Sequence, residues 1–146
     1  MIINEITIKY ETKAKHKDLP KVTQSNDIYN YCKEIWTDIE YVEKFVILLL
    51  NKNLKILGWK LVSQGGVSGT VVDPKIIFQT ALKANASCIV MIHNHPSGNL
   101  DPSREDKKIT KKIYEGGEIL DIQLIDHLII SKEGHCSFID QGLIKQ

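Results

Sequence analysis

At 146 residues the chain is long enough to bury one sizeable core but short for two, so a single domain spanning 1–146 is expected. Hydrophobic residues at 42% and charged residues at 25% exclude a disordered or fibrous chain. Nineteen basic against 18 acidic side chains leave a net charge of +1, without the field that holds proteins on phosphate backbones, so direct nucleic-acid binding is not expected.

Taken in chain order, Ile6, Ile8 and Tyr10 alternate with Thr7 and Lys9, the period of two of a half-buried strand. Lys13 to Lys21 reads as a polar connection. Ser25 and Asp27 offer caps for a helix through Trp36, with Ile28, Tyr31, Cys32, Ile35 and Trp36 on one face. Tyr41 to Leu50 is apolar except at Glu43 and Lys44, which predicts a central strand covered on both faces. Leu54 to Ser63 returns as a second strand, and Gly65-Gly66 and Gly69 mark a loop. Asp73-Pro74 supplies a cap and first-turn proline for a helix over Lys75 to Lys83. Ser87 to Ile92 is a short apolar strand leading into His93-Asn94-His95-Pro96-Ser97-Gly98. A helix then runs from Ser103 to about Glu115, where Gly116-Gly117 is expected to stop it. Ile119 to Ser131 and Ser137 to Ile139 are read as closing strands, giving an α/β alternation with its core over about 42–146.

Cys32, Cys88 and Cys136 are odd in number and widely spaced, which disfavours disulfides and a cysteine zinc knuckle and predicts buried reduced thiols. Met1 to Lys15 carries too many polar residues for a signal-peptide core, and the apolar run Phe45 to Leu50 is far below the ~20 residues of a spanning helix. A cytoplasmic location with no membrane partner is therefore expected.

The chemistry concentrates after the third strand. Two histidines one residue apart on extended backbone point the same way, and Pro96 keeps His95 out of the helical region. Turn residues follow, then Ser103 with Asp106 three residues on, which places a carboxylate in the first helical turn. Such a His, His, Asp set leaves one tetrahedral position open for water, as catalytic zinc sites do, and so makes hydroxide available near neutral pH. Either half alone has a plainer reading: HxH pairs are ambiguous, and SxxD is also an ordinary capping box.

The two halves together, HxHPSG and then SxxD with seven residues between His95 and Ser103, resemble the JAMM signature of the JAB/MPN metalloprotease superfamily. Within it the chain is most similar to the RadC group, through the HxHPSG string, Asn85-Ala86 and Asp126-His127-Leu128-Ile129-Ile130. The resemblance covers roughly Val42 to the C-terminus. It implies a three-layer fold shared with cytidine deaminases, a mixed sheet flanked by helices. It further implies that His93, His95 and Asp106 bind Zn2+, that Ser103 donates to the developing oxyanion, and that an upstream glutamate moves the proton. Glu43 is the candidate for that role, because a carboxylate beside an apolar strand wants a partner, with Glu40 as the alternative. The implied activity is hydrolysis of a peptide or isopeptide amide in a peptide or protein substrate by metal-bound hydroxide. The alternative is a RadC-type DNA-repair or mobile-element binding module with a non-catalytic metal site. Two features differ from the pattern: Asn94 stands where peptidase members more often have Ser or Thr, and a helix-hairpin-helix region is not expected within these 146 residues.

Other residues have structural readings. Asp126-His127 reads either as a pair orienting a ligand or as a satisfied core histidine. Lys107, Lys108, Lys111 and Lys112 form a helical ridge expected to be solvated. His16 and His135 lack companion ligands and are expected at the surface. Deaminase chemistry requires HxE with PCxxC, and the three cysteines do not provide that spacing. A His-Asn-His nuclease reading would leave Ser103 and Asp106 without roles.

Overall fold

The computed structural model describes residue 4, residues 11–65 and residues 71–145. The expected strand over Ile6 to Tyr10, and Gly66 and Gly69 of the expected loop, lie outside the described residues. After a short 3-10 turn, His16–Asp18, come helix α1, Ser25–Ile35, and strands β1, Lys44–Leu50, and β2, Ile56–Gln64. Helix α2, Pro74–Lys83, strand β3, Cys88–Asn94, and helix α3, Arg104–Leu120, follow, then strands β4, Gln123–Ile130, and β5, His135–Ser137.

The strands form one mixed sheet in the order β2-β1-β3-β4-β5, with β3 and β4 parallel and the other neighbours antiparallel. Strand alternation divides the core between the two faces. Val46, Leu48, Leu50, Val90 and Ile92 pack with Ile28, Cys32 and Trp36 from α1 and the residue that follows it. Phe45, Ile47, Leu49, Ile89 and Met91 pack with Ile77 of α2 and Ile113 of α3. Helix, sheet and helix pair thus form the three-layer α/β arrangement that the resemblance implies. Both central strands are buried on both faces, as their unbroken apolar runs require.

Local chemistry explains most boundaries. The Asp73 side chain accepts from the Lys75 amide at 2.9 Å, and Pro74 occupies the first turn of α2. For α1 the cap moves one residue back from Ser25: Gln24 is the N-cap, and Asp27 accepts from its amide at 3.1 Å.

Several boundaries differ from expectation. Strand β1 starts at Lys44 rather than Tyr41, which is 81% exposed and lies in a turn. Strand β2 starts at Ile56, because Leu54 adopts a left-handed turn conformation with φ 59°. The largest correction is at Gly116-Gly117, which lies inside α3. The helix continues to Leu120 and ends on Asp121 in the left-handed region, so Ile119 and Leu120 are helical and β4 begins only at Gln123. These glycines serve close packing: a Cβ on Gly116 would lie 2.8 Å from the Phe78 ring, and one on Gly117 would lie 2.2 Å from the Ile122 carbonyl oxygen. Strand β5 lies two residues earlier than expected, at His135–Ser137.

Cys32 and Cys88 are buried free thiols, whereas Cys136 is only partly covered. His16 is exposed, but His135 departs from the surface reading: it is half-buried, with its ring centroid 4.8 Å from that of Tyr29. Among the described residues no helix is long and apolar enough to cross a membrane.

Candidate metal centre

Strand register brings the candidate residues to one end of the sheet. Phe45 of β1 pairs with His93 of β3, so antiparallel alternation puts these two side chains on the α2–α3 face. Two residues on, just beyond the ends of these strands, come Glu43 and His95. One donor atom from each of Glu43, His93 and His95 lies within 4.8 Å of the others. Helix α3 approaches the same point with its N-terminus. In its capping box the Ser103 amide donates to Asp106 Oδ2 at 2.7 Å, and the Asp106 amide donates to Ser103 Oγ at 3.0 Å. This box turns the carboxylate towards the imidazoles: Oδ1 lies 3.1 Å from His93 Nε2, and Oδ2 lies 3.7 Å from His95 Nε2. The plain capping-box reading of Ser103 and Asp106 is thus part of the site's construction rather than its rival. The two Nε2 atoms are 2.9 Å apart.

The hydrogen bonds behind the rings fix which nitrogen carries the proton. His95 Nδ1 is 2.5 Å from the Asn99 carbonyl, which can only accept, so Nδ1 holds the proton. Thr110 Oγ donates to the Asp106 carbonyl at 2.6 Å and therefore accepts from His127 Nδ1, also at 2.6 Å. Neutral His127 then accepts from His93 Nδ1 at its own Nε2, 2.8 Å away. Burial, first, and the neighbouring His93 hold His127 well below the ordinary histidine range, so it is neutral. With a proton on each Nδ1, the Nε2 atoms of His93 and His95, which carry lone pairs in the neutral rings, face each other and the Asp106 carboxylate. Converging in this way, the three groups can share a cation, a ring proton or a metal ion. Two imidazoles and a carboxylate fit a zinc-type ion, for which donors at 2.0–2.1 Å would stand about 3.3 Å apart.

Burial pushes the Asp106 carboxyl up, but the hydrogen bond and charge that His93 presents when protonated, with the Ser103 cap, outweigh it and hold it below the usual carboxylate range. The N-terminus of α3 also favours negative charge there. Glu43 borders a cleft of about 390 Å³ that runs from His93 and Asp106 over Phe45, Val72 and Ile109, with Lys108 and Lys112 along its α3 wall. Glu40 lies elsewhere, 3.3 Å from Lys132 in an ion pair. A larger groove of about 1080 Å³ sits at the other end of β3, against Cys88 and Gln123, and has no histidine in its lining.

Asp126 and His127 separate in role. The Asp126 carboxylate accepts from the Ser137 hydroxyl at 2.6 Å and from the Ile139 amide at 3.1 Å, away from the rings. Thr110 had no sequence signal of its own, because a threonine bonding back to the carbonyl four residues earlier is common in helices.

A family model described as a RadC-like JAB domain matches residues 22–143. A UPF0758 protein of Flavobacterium johnsoniae is 42% identical over 125 residues, covering 86% of this chain and 54% of that protein. Similar proteins of the same name occur in Thermotoga maritima, 33% identical over 150 aligned positions covering 97% and 66%, and in Methanosarcina mazei, 36% identical over 125 covering 86% and 54%. The chain spans about half to two thirds of the length of these relatives.

Proposed function

The chain belongs to the RadC-like JAB domain family, and from that premise we propose that it is a zinc-dependent hydrolase cleaving a peptide or isopeptide amide. The observation that carries this reading is the meeting of His93 Nε2, His95 Nε2 and the Asp106 carboxylate, with Glu43 beside both rings. Held by His93, His95 and Asp106, zinc would supply Lewis-acid polarisation of a carbonyl and water of lowered pKa.

The side chains supply the remaining parts. Glu43, half-buried at the mouth of the cleft, takes a proton from the attacking water and returns it to the leaving nitrogen. Ser103 Oγ already accepts the Asp106 amide, which leaves its O–H to donate to the developing oxyanion. The apolar floor of Phe45, Val72 and Ile109 seats a side chain next to the scissile bond. Such a cleft suits an extended peptide or protein segment, and the net charge of +1 gives phosphate backbones no general attraction.

The test is turnover of a panel of peptides and isopeptide-linked conjugates by zinc-loaded protein. Glu43→Gln should retain zinc and lose on the order of 10²–10⁴ in rate, and His95→Ala should lose both zinc and turnover. Turnover unchanged in both variants overturns the reading. Salt-dependent DNA affinity that survives both changes, without hydrolysis, favours the binding module instead.

A further inference from the structure

Glu43 lies beyond the end of the β1–β3 ladder, whose last pair is Phe45 with His93. Residues 36–43 are neither helix nor strand, so the ladder itself does not fix the position of Glu43. The side chain that reaches this segment from β3 is Asn94. Alternation points it to the face opposite His93 and His95, and it is completely buried. Its Oδ1 accepts from the Lys44 amide at 2.8 Å, and its Nδ2 donates to the carbonyls of Ile39 at 2.7 Å and Val42 at 2.9 Å. These bonds use both amide protons and flank Glu43 on either side in the chain.

We propose that Asn94 is a positioning residue: it clamps residues 39–44 to β3 and thereby sets the distance of the Glu43 carboxylate from the two ring nitrogens. The inference rests on the metal-site reading for its consequence, but its geometry stands without a metal. An amide suits this task because it offers two donors and one acceptor on one rigid plane. Serine or threonine has one donor and a shorter reach, so neither can replace the three bonds. Other contacts also hold the segment: the Gly65 amide on the Glu43 carbonyl at 2.8 Å, Lys44 Nζ on Asp38 at 2.5 Å and Lys132 Nζ on Glu40 at 3.3 Å. None of these comes from β3, which leads into both histidines, so Asn94 ties the segment directly to the strand beside the proposed ligands.

Two arms test this. The first needs no metal: amide exchange at Lys44 should accelerate about tenfold in Asn94→Ala and Asn94→Ser, while the Met91 amide stays protected. In the wild type the Asn94 side-chain amide protons should themselves exchange slowly, a measurement that holds even if a variant fails to fold. Unchanged Lys44 protection, or a freely exchanging Asn94 side chain, overturns the clamp.

The second arm uses Co2+ alone as probe, read by affinity and visible absorption. Glu43→Gln and Asn94→Ala should each weaken Co2+ binding about tenfold with similar spectral change, and the double variant should be no weaker than Glu43→Gln within about twofold. Multiplicative losses would mean that Asn94 acts through something other than Glu43, which overturns the proposal. If the wild type takes up no Co2+, the metal reading fails, and the exchange arm still decides the clamp.

Discussion

Asp106 joins two tasks on one carboxylate, closing the first turn of α3 and facing the histidines. Burial works against its charge, but His93 and the Ser103 cap prevail, so its folded pKa lies below the unfolded value. The sign of its pH dependence follows: this contribution to stability is complete above about pH 4–5 and is lost as pH falls through the folded value. Urea titrations of metal-free protein should show an acid loss of stability that is smaller in Asp106→Asn. Ser103→Ala removes the cap and should cost about 1 kcal/mol in the same titration, with Ser103→Thr restoring most of it. His127→Ala removes the bond that aims His93 and should weaken zinc binding by about 10–100-fold, with the fold intact by circular dichroism. At this scale the sequence exposed what local spacing can carry: His93 and His95 by alternation, Asp106 by the first helical turn. Asn94 and His127 act on residues 50 and 34 positions away, and no local pattern encodes such partners.

Among elements, α3 shows where local rules yield to packing. Two consecutive glycines ordinarily signal a stop, because each favours the unfolded backbone by about 1 kcal/mol relative to alanine. Here Gly117 lets the helix pass against the Ile122 carbonyl and Gly116 lets it pass against Phe78. Gly117→Ala should therefore cost about 1–3 kcal/mol or more despite its better helix propensity, since backbone must move. Gly116→Ala should cost less, because the Phe78 ring can rotate. Unfolding curves of the two variants compare them directly, and equal or stabilising effects would contradict the packing account. The start of β1 follows the same logic. Tyr41 and Val42 read as strand by hydrophobicity, but the segment there turns to meet Asn94 instead. The central strands and the start of α2 were legible because continuous apolar runs and an Asp-Pro cap determine them locally.

For the whole molecule, the mixed sheet places the candidate site at one end of β3, where the segment before β1 contributes Glu43 and α3 contributes Asp106. Segments far apart in sequence thus meet around two ring nitrogens and a carboxylate. An ion bound there ties them together, so it should stabilise the folded state by linkage: at a free zinc concentration about 1,000 times Kd the gain is about 4 kcal/mol. Removal of metal by a chelator should accordingly lower the melting temperature by roughly 8–16 °C. The layer order was legible in the α/β alternation, whereas the pairing of β1 with β3 was not, because strand order depends on contacts between residues about 40 apart. The most direct measurement is the metal content of protein purified without added zinc, determined by elemental analysis for the wild type, His95→Ala, Asp106→Ala and Ser103→Ala. About one zinc per chain in the wild type and in Ser103→Ala, lost in the other two, is the expected result. No zinc in the wild type even after incubation with the metal, or zinc retained in His95→Ala and Asp106→Ala, would contradict the metal centre and the hydrolase built on it.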